Sequence, residues 1–166
     1  MKKALLVVFV GLLLGGCGTQ QTMETVSDVY AVPASVTMHQ VRLPLPDDAV
    51  SQSMEAEDGS KMYMCDGYTV TVQTMDAGDL DKTLQTISGF SGEKLTVMRT
   101  KSEDITRYES AWCVAGESEE QICRGLILDD GNYHYAITIM ANYSVAGEKA
   151  DAWQHILDSA CLVNTD

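Results

Sequence analysis

The chain has 166 residues, with 24 acidic against 11 basic side chains, a net charge of −13 and 45% hydrophobic content. That balance excludes nucleic acid as a partner, because phosphate binding needs a basic face; ordinary hydrophobicity and only three prolines exclude an extended disordered chain. The length suffices for one domain with a sizeable core and not for two.

Met1-Lys2-Lys3 is a basic start, followed by Ala4 to Leu14, an apolar run interrupted only by Gly11. The run falls short of the ~20 residues that a helix needs to cross a bilayer, and it matches the hydrophobic region of a signal peptide. It ends in Leu14-Gly15-Gly16-Cys17, which resembles the bacterial lipobox. The resemblance implies removal of residues 1–16, a diacylglyceryl thioether on Cys17, and a lipid anchor on the extracytoplasmic face of the cell membrane. Cys17 is then a tether rather than a thiol. Loss of Lys2 and Lys3 leaves 9 basic against 24 acidic residues, a mature charge of −15. Residues 17–40 read as the lipidated cysteine and a flexible tether, rich in Thr, Gln, Ser and Val, without a sustained period and with Pro33. As coil, roughly 20 such residues reach about 25 Å.

Residues 41–166 read as a single globular α+β domain. Val41 to Pro46 alternates apolar and other residues and carries two prolines, as an edge strand tolerates. Lys61–Cys65 and Tyr68–Met75 flank Asp66-Gly67, a type I′ hairpin signal that sets Cys65 opposite Tyr68 and Tyr63 opposite Val70. Asp79 is a good N-cap for a helix in which Leu80, Thr83, Leu84, Ile87 and Phe90 recur at helical spacing, stopped by Gly89 or Gly92. Leu95–Met98 is a short strand and Arg107–Ala115 a longer one. Gln121–Leu128 and Tyr133–Ala141 flank Asp130-Gly131, a second hairpin signal that predicts Leu128 opposite Tyr133. Leu126, Leu128, Tyr133, Tyr135, Ile137 and Ile139 then share one face, and Cys123, Gly125, Ile127, His134, Ala136, Thr138 and Met140 the other. Gly125 makes that second face shallow enough for a close helix. A closing helix is expected over Ala146–Leu162, with Ala150, Trp153, Ile156, Leu157 and Ala160 along its stripe. Apolar content on both faces predicts an antiparallel sheet of about six to seven strands with helices on both sides.

This order of elements, closing with Trp153-Gln-His-Ile-Leu-Asp-Ser159, resembles the PsbP-like α/β/α sandwich. Asp66-Gly67-Tyr68, Gly78-Asp79-Leu80-Asp81 and Asp129 to Tyr135 are also similar to segments of small lipoproteins of anaerobic monoderm bacteria. The sandwich superfamily consists mostly of non-catalytic binding or assembly factors, so the resemblance implies a binding role.

Beyond Cys17, Cys65, Cys113, Cys123 and Cys161 remain, an even number that favours disulfides in an exported domain, with three connectivities open. Cys113 with Cys123 across a hairpin centred on Ser118 would set Trp112 opposite Arg124; Cys65 with Cys161 would then close a loop of roughly 95 residues, worth about 4–5 kcal/mol at most. No cysteine spacing suits zinc. Among His39, His134 and His155, His134 stands out, flanked by Tyr133 and Tyr135 and near Asp129 and Asp130; together these five are the candidate ligand-binding residues. No nucleophile or zinc-protease signature occurs, and no catalytic set, metal site or cofactor is expected. Asp76, Asp79 and Asp81 depart from an EF-hand loop. The methionines, including Met62 and Met64, read as core filler; the alternative for Met62, Met64 and Cys65 is a copper site, which one test would decide. Glu117, Glu119 and Glu120 read as a solvated loop. The expectation is a membrane-anchored, non-enzymatic binding or assembly module for a protein or cell-envelope component. Its alternative is an extracytoplasmic binder of a small ligand or metal ion; a hydrolase would need His134 beside a carboxylate in a concave site.

Overall fold

The structure, a computed structural model, describes residues 38–52 and 60–164. Cys17, residues 1–16 and the expected tether up to residue 37 lie outside the described residues. Among the described residues, nine strands and two α-helices follow in the order β1 (Gln40–Arg42), β2 (Val50–Gln52), β3 (Lys61–Cys65), β4 (Tyr68–Asp76), α1 (Leu80–Ser88), β5 (Val97–Ser102), β6 (Ile105–Ala115), β7 (Glu120–Asp129), β8 (Tyr133–Asn142), α2 (Tyr143–Ser159) and β9 (Cys161–Val163). An antiparallel sheet runs β2-β3-β4-β8-β7-β6-β5, and β1 pairs separately with β9. Met38–Gln40, expected in the tether, therefore belongs to the folded unit. None of the described helices is long and apolar enough to cross a membrane.

Period-2 alternation gives the sheet two apolar faces. On one, Val70, Leu126, Tyr135, Ile137 and Ile139 are buried with Trp153, Ile156 and Leu157 of α2. On the other, Ile127 and Ala136 are buried with Leu84 of α1, against which Ile87 also packs. The fold is α+β with a helix on each face, as expected. Asp79 caps α1, its carboxylate accepting from Asp81 N at 3.0 Å, and Gly89 ends the helix at φ +78°.

The sequence reading of α2 needed correction at both ends. It starts at Tyr143, directly after β8, and stops at Ser159; Ala150 is exposed, and Cys161–Val163 leaves the helix to form β9. Each end is tied by a residue from elsewhere. Ser144 N and Oγ donate to the carboxylate of Glu119 at 3.1 and 2.8 Å, so Glu119 caps the helix instead of lying in a solvated loop. Arg107 donates to Leu157 O and Ala160 O at 2.9 and 3.2 Å, satisfying carbonyls at the C-terminal end.

The first hairpin has the expected register, with Cys65 opposite Tyr68, but only Gly67 has positive φ, so its turn is not type I′. In the second, Leu128 pairs with Tyr135 and not Tyr133. The central residues are Gly131 and Asn132, with positive φ at Gly131 alone, as in a type II′ turn. Asp130 Oδ1 selects this turn by accepting from Asn132 N and Tyr133 N at 2.8 and 2.7 Å. A shift of two residues keeps every side chain on its expected face.

The β6–β7 register differs by one. Gly116 N donates to Glu119 O at 3.0 Å, and a Cβ on Gly116 would stand 2.4 Å from that oxygen, so a four-residue loop closes between Ala115 and Glu120. Trp112 therefore faces Cys123, and Cys113 faces Ile122, which puts the two cysteines on opposite sides of the sheet. Arg124 is opposite Ala111 and donates to Gln154 Oε1 at 2.8 Å rather than stacking on Trp112. Trp112 instead fills the space over Gly125, where a Cβ would lie 2.9 Å from its ring. Cys65, Cys113, Cys123 and Cys161 are free thiols, so neither expected bridge is present. Burial and neighbouring Cys113 push the Cys123 thiol up to about 11, leaving little thiolate at neutral pH.

Candidate functional site

The five hairpin residues singled out from sequence do not converge on one site, because alternate strand positions face opposite ways. His134 points under α1, with Nδ1 2.8 Å from Thr83 Oγ1 and Nε2 3.8 Å from Asp129 Oδ2. It is 3% exposed, so no substrate reaches it without displacement of α1. Asp129 Oδ1 is engaged by Gly131 N at 2.8 Å, and so supports the turn.

Burial lowers the His134 pKa below its ordinary 6.5 and outweighs the opposite pull of Asp129, Asp130 and Asp79. The unfolded chain therefore binds this proton more readily. Stability from a neutral His134 is complete above pH 6.5 and is lost as pH falls through the folded-state value. Between pH 7.5 and 5 the unfolding free energy measured by urea titration should fall further in wild type than in His134→Gln, by at most about 1.4 kcal/mol for each unit of pKa depression. Equal falls would remove His134 as the cause.

On the other face, Tyr135 Oη donates to Asp130 Oδ2 at 3.0 Å and accepts from His39 N at 2.9 Å. His39 Nε2 lies 3.6 Å from the same carboxylate. Burial, with the Asp130 carboxylate, raises the Tyr135 pKa against the opposing His39 amide, so the phenol stays protonated as the donor. The Tyr133 ring meets Tyr135 edge-on with centroids 6.1 Å apart. These contacts form a latch that holds the segment leading into β1 against β8.

Between that segment and the exposed surface of β3 and β4 lies a groove of about 570 Å³. None of Asp129, Asp130, Tyr133, His134 and Tyr135 lines it. Val41, Leu43, Leu45, Tyr63, Val72 and Val163 supply its apolar surface, and His39, Gln40, Arg42, Lys61 and Thr74 its polar groups. The volume is within the ~300–1,000 Å³ range of small-ligand clefts. Sequence reasoning missed this site. It placed His39 in the tether and gave no role to Arg42 or Lys61, because no local pattern marks a groove assembled from β1, β3, β4 and β9.

Groups able to hold a metal are sparse: among the described residues, no three His, Cys, Asp or Glu side chains cluster in that way. Asp79 caps α1, and the Asp81 carboxylate accepts from Gly92 N.

No family model matches the chain, and no curated protein matches it. Solved structures do. LpqN, involved in cell envelope biogenesis of Mycobacterium tuberculosis, superimposes with a TM-score of 0.50 at 12% identity, covering 78% of this chain and 87% of its own. The Saccharomyces cerevisiae Ran-binding protein Mog1p gives 0.45 at 10% identity over 78% of this chain and 97% of its own. At such identity, the match to LpqN is one of fold.

Proposed function

We propose that this protein is a non-enzymatic binding module, held outside the cytoplasm by lipid on Cys17, that recognises a protein or cell-envelope component through the groove beside β1. The groove carries this reading: it combines apolar surface with polar groups, whereas the titratable residues of the β7–β8 turn are occupied by internal contacts. Leader and lipobox support the anchor. LpqN, with its likeness of fold and its part in envelope biogenesis, supports the setting by analogy. The acidic surface outside the groove favours basic groups on a partner, through steering more than affinity, while the groove itself presents Arg42 and Lys61. Binding of a small ligand is the second reading, favoured by the groove volume.

Two comparisons test the proposal. Cys17→Ala should move the protein from the membrane to the soluble fraction or leave its leader uncleaved, and the wild-type mature mass should include acyl chains. Cross-linking in intact cells should capture an envelope component with wild type, and lose more than half of it with Gln40→Trp, which crowds the groove from an exposed position. Equal capture by Gln40→Trp would overturn the groove, and an unacylated wild-type protein would overturn the anchor.

A further inference from the structure

We propose that the groove takes a small anionic amphiphile, an apolar chain ending in phosphate or carboxylate, with Arg42 and Lys61 receiving the anionic head. This rests on the groove being the binding site and names its ligand class. The first ground is charge. Acidic residues outnumber basic ones 24 to 11 in the chain, yet among the described residues the groove is lined by Arg42 and Lys61 and by no carboxylate. The formal charge of the described lining side chains is therefore positive, against a negative total for the molecule.

Among the described residues neither cation is used by the fold. Arg42 and Lys61 are exposed, and neither forms an ion pair or side-chain hydrogen bond among the described residues, in contrast to Lys149, which holds Asp66 at 2.8 Å, and Arg107, which caps α2. The second ground is the apolar surface beside them. Val41, Leu43, Leu45 and Val72 are half-buried against the core, and the surface they leave to the groove offers a free inorganic anion nothing but would bury part of an alkyl chain favourably. Thr74 and Gln40 add hydrogen-bonding groups for the oxygens of a head group. A neutral amphiphile would leave both cations unmatched, and a cationic one would be repelled.

The test uses the lipidated full chain in nanodiscs of neutral phosphatidylcholine, with a photoreactive dodecyl phosphate as probe. Labelling should saturate and map to peptides containing β1 and β4. Unlabelled dodecyl phosphate should compete; dodecyl maltoside, dodecyltrimethylammonium and inorganic phosphate should not. Arg42→Glu with Lys61→Glu should weaken labelling about tenfold, and raised salt should weaken it in wild type, as expected for exposed charges. Both positions are exposed, so an unchanged thermal midpoint separates lost binding from lost folding. Labelling spread over the chain, equal competition by dodecyl maltoside, or preferential protection by a polyglutamate peptide would overturn the proposal. The wild-type competition series decides this even if the double variant fails to fold. Failure here, with partner capture still lost in Gln40→Trp, would leave the binding module standing and remove only the amphiphile.

Discussion

Trp153→Ala should destabilise the domain by about 3–5 kcal/mol, the usual cost of removing a buried indole. At roughly 2–4 °C per kcal/mol for a chain of this size, the thermal midpoint falls by about 6–20 °C. Trp153 is 2% exposed and meets Tyr68 edge-on at 6.1 Å, so it joins the middle of α2 to the start of β4. Truncation leaves a cavity between helix and sheet, and the sheet, fixed by its ladders, relaxes into it only partly. Trp153→Phe should cost much less. Its Nε1 has no hydrogen-bond partner among the described residues, so phenylalanine gives up volume and none of the described bonds. A midpoint unchanged by Trp153→Ala in thermal denaturation followed by circular dichroism would mean that α2 does not pack on this face.

Tyr135→Phe should cost about 1–3 kcal/mol, chiefly by leaving buried partners unmatched. The hydroxyl is the only link from His39 N to Asp130 Oδ2 among the described contacts, and the Asp130 side chain is 5% exposed. Asp130 keeps its two turn contacts through Oδ1, so the turn between β7 and β8 should survive. The loss should be local: hydrogen exchange should accelerate at His39 and through β1 while the β7–β8 ladder stays protected. Equal acceleration across the ladder would show that the latch is part of the general core and not a fastening for β1. Loosening β1 also reshapes the groove, so Tyr135→Phe should reduce partner capture without touching a groove-lining side chain.

Much of the domain could be read from the chain because its signals are local. Asp66-Gly67 and Asp79 state a turn and a helix start in the residues that form them. Leu126, Tyr135 and Ile137 announce their shared face by alternation, and that face survives a two-residue error in register because the pleat repeats every two residues. A one-residue error is different in kind. It separated Cys113 from Cys123 across the sheet, and its origin, the backbone approach of Gly116 to Glu119 O, leaves no mark in hydrophobic pattern.

The candidate site was less accessible for a related reason. Asp129, Asp130, Tyr133, His134 and Tyr135 are neighbours in sequence, but a strand sends consecutive side chains apart, and the cluster divides into a packed His134 and a Tyr135 latch. The groove gathers residues from both ends of the domain, since β1 pairs with β9 and lies beside β3 and β4. Composition, the apolar run ending in Leu14-Gly15-Gly16-Cys17, helix caps and the two-faced sheet are properties of short windows or of totals, and the chain carries them without folding. The β1–β9 pair, the capping of α2 by Glu119 and Arg107, the burial of His134 and the meeting of Arg42 and Lys61 in the groove exist only once distant segments meet. Such contacts depend on which surfaces are left over after the core has packed, and no periodicity records that.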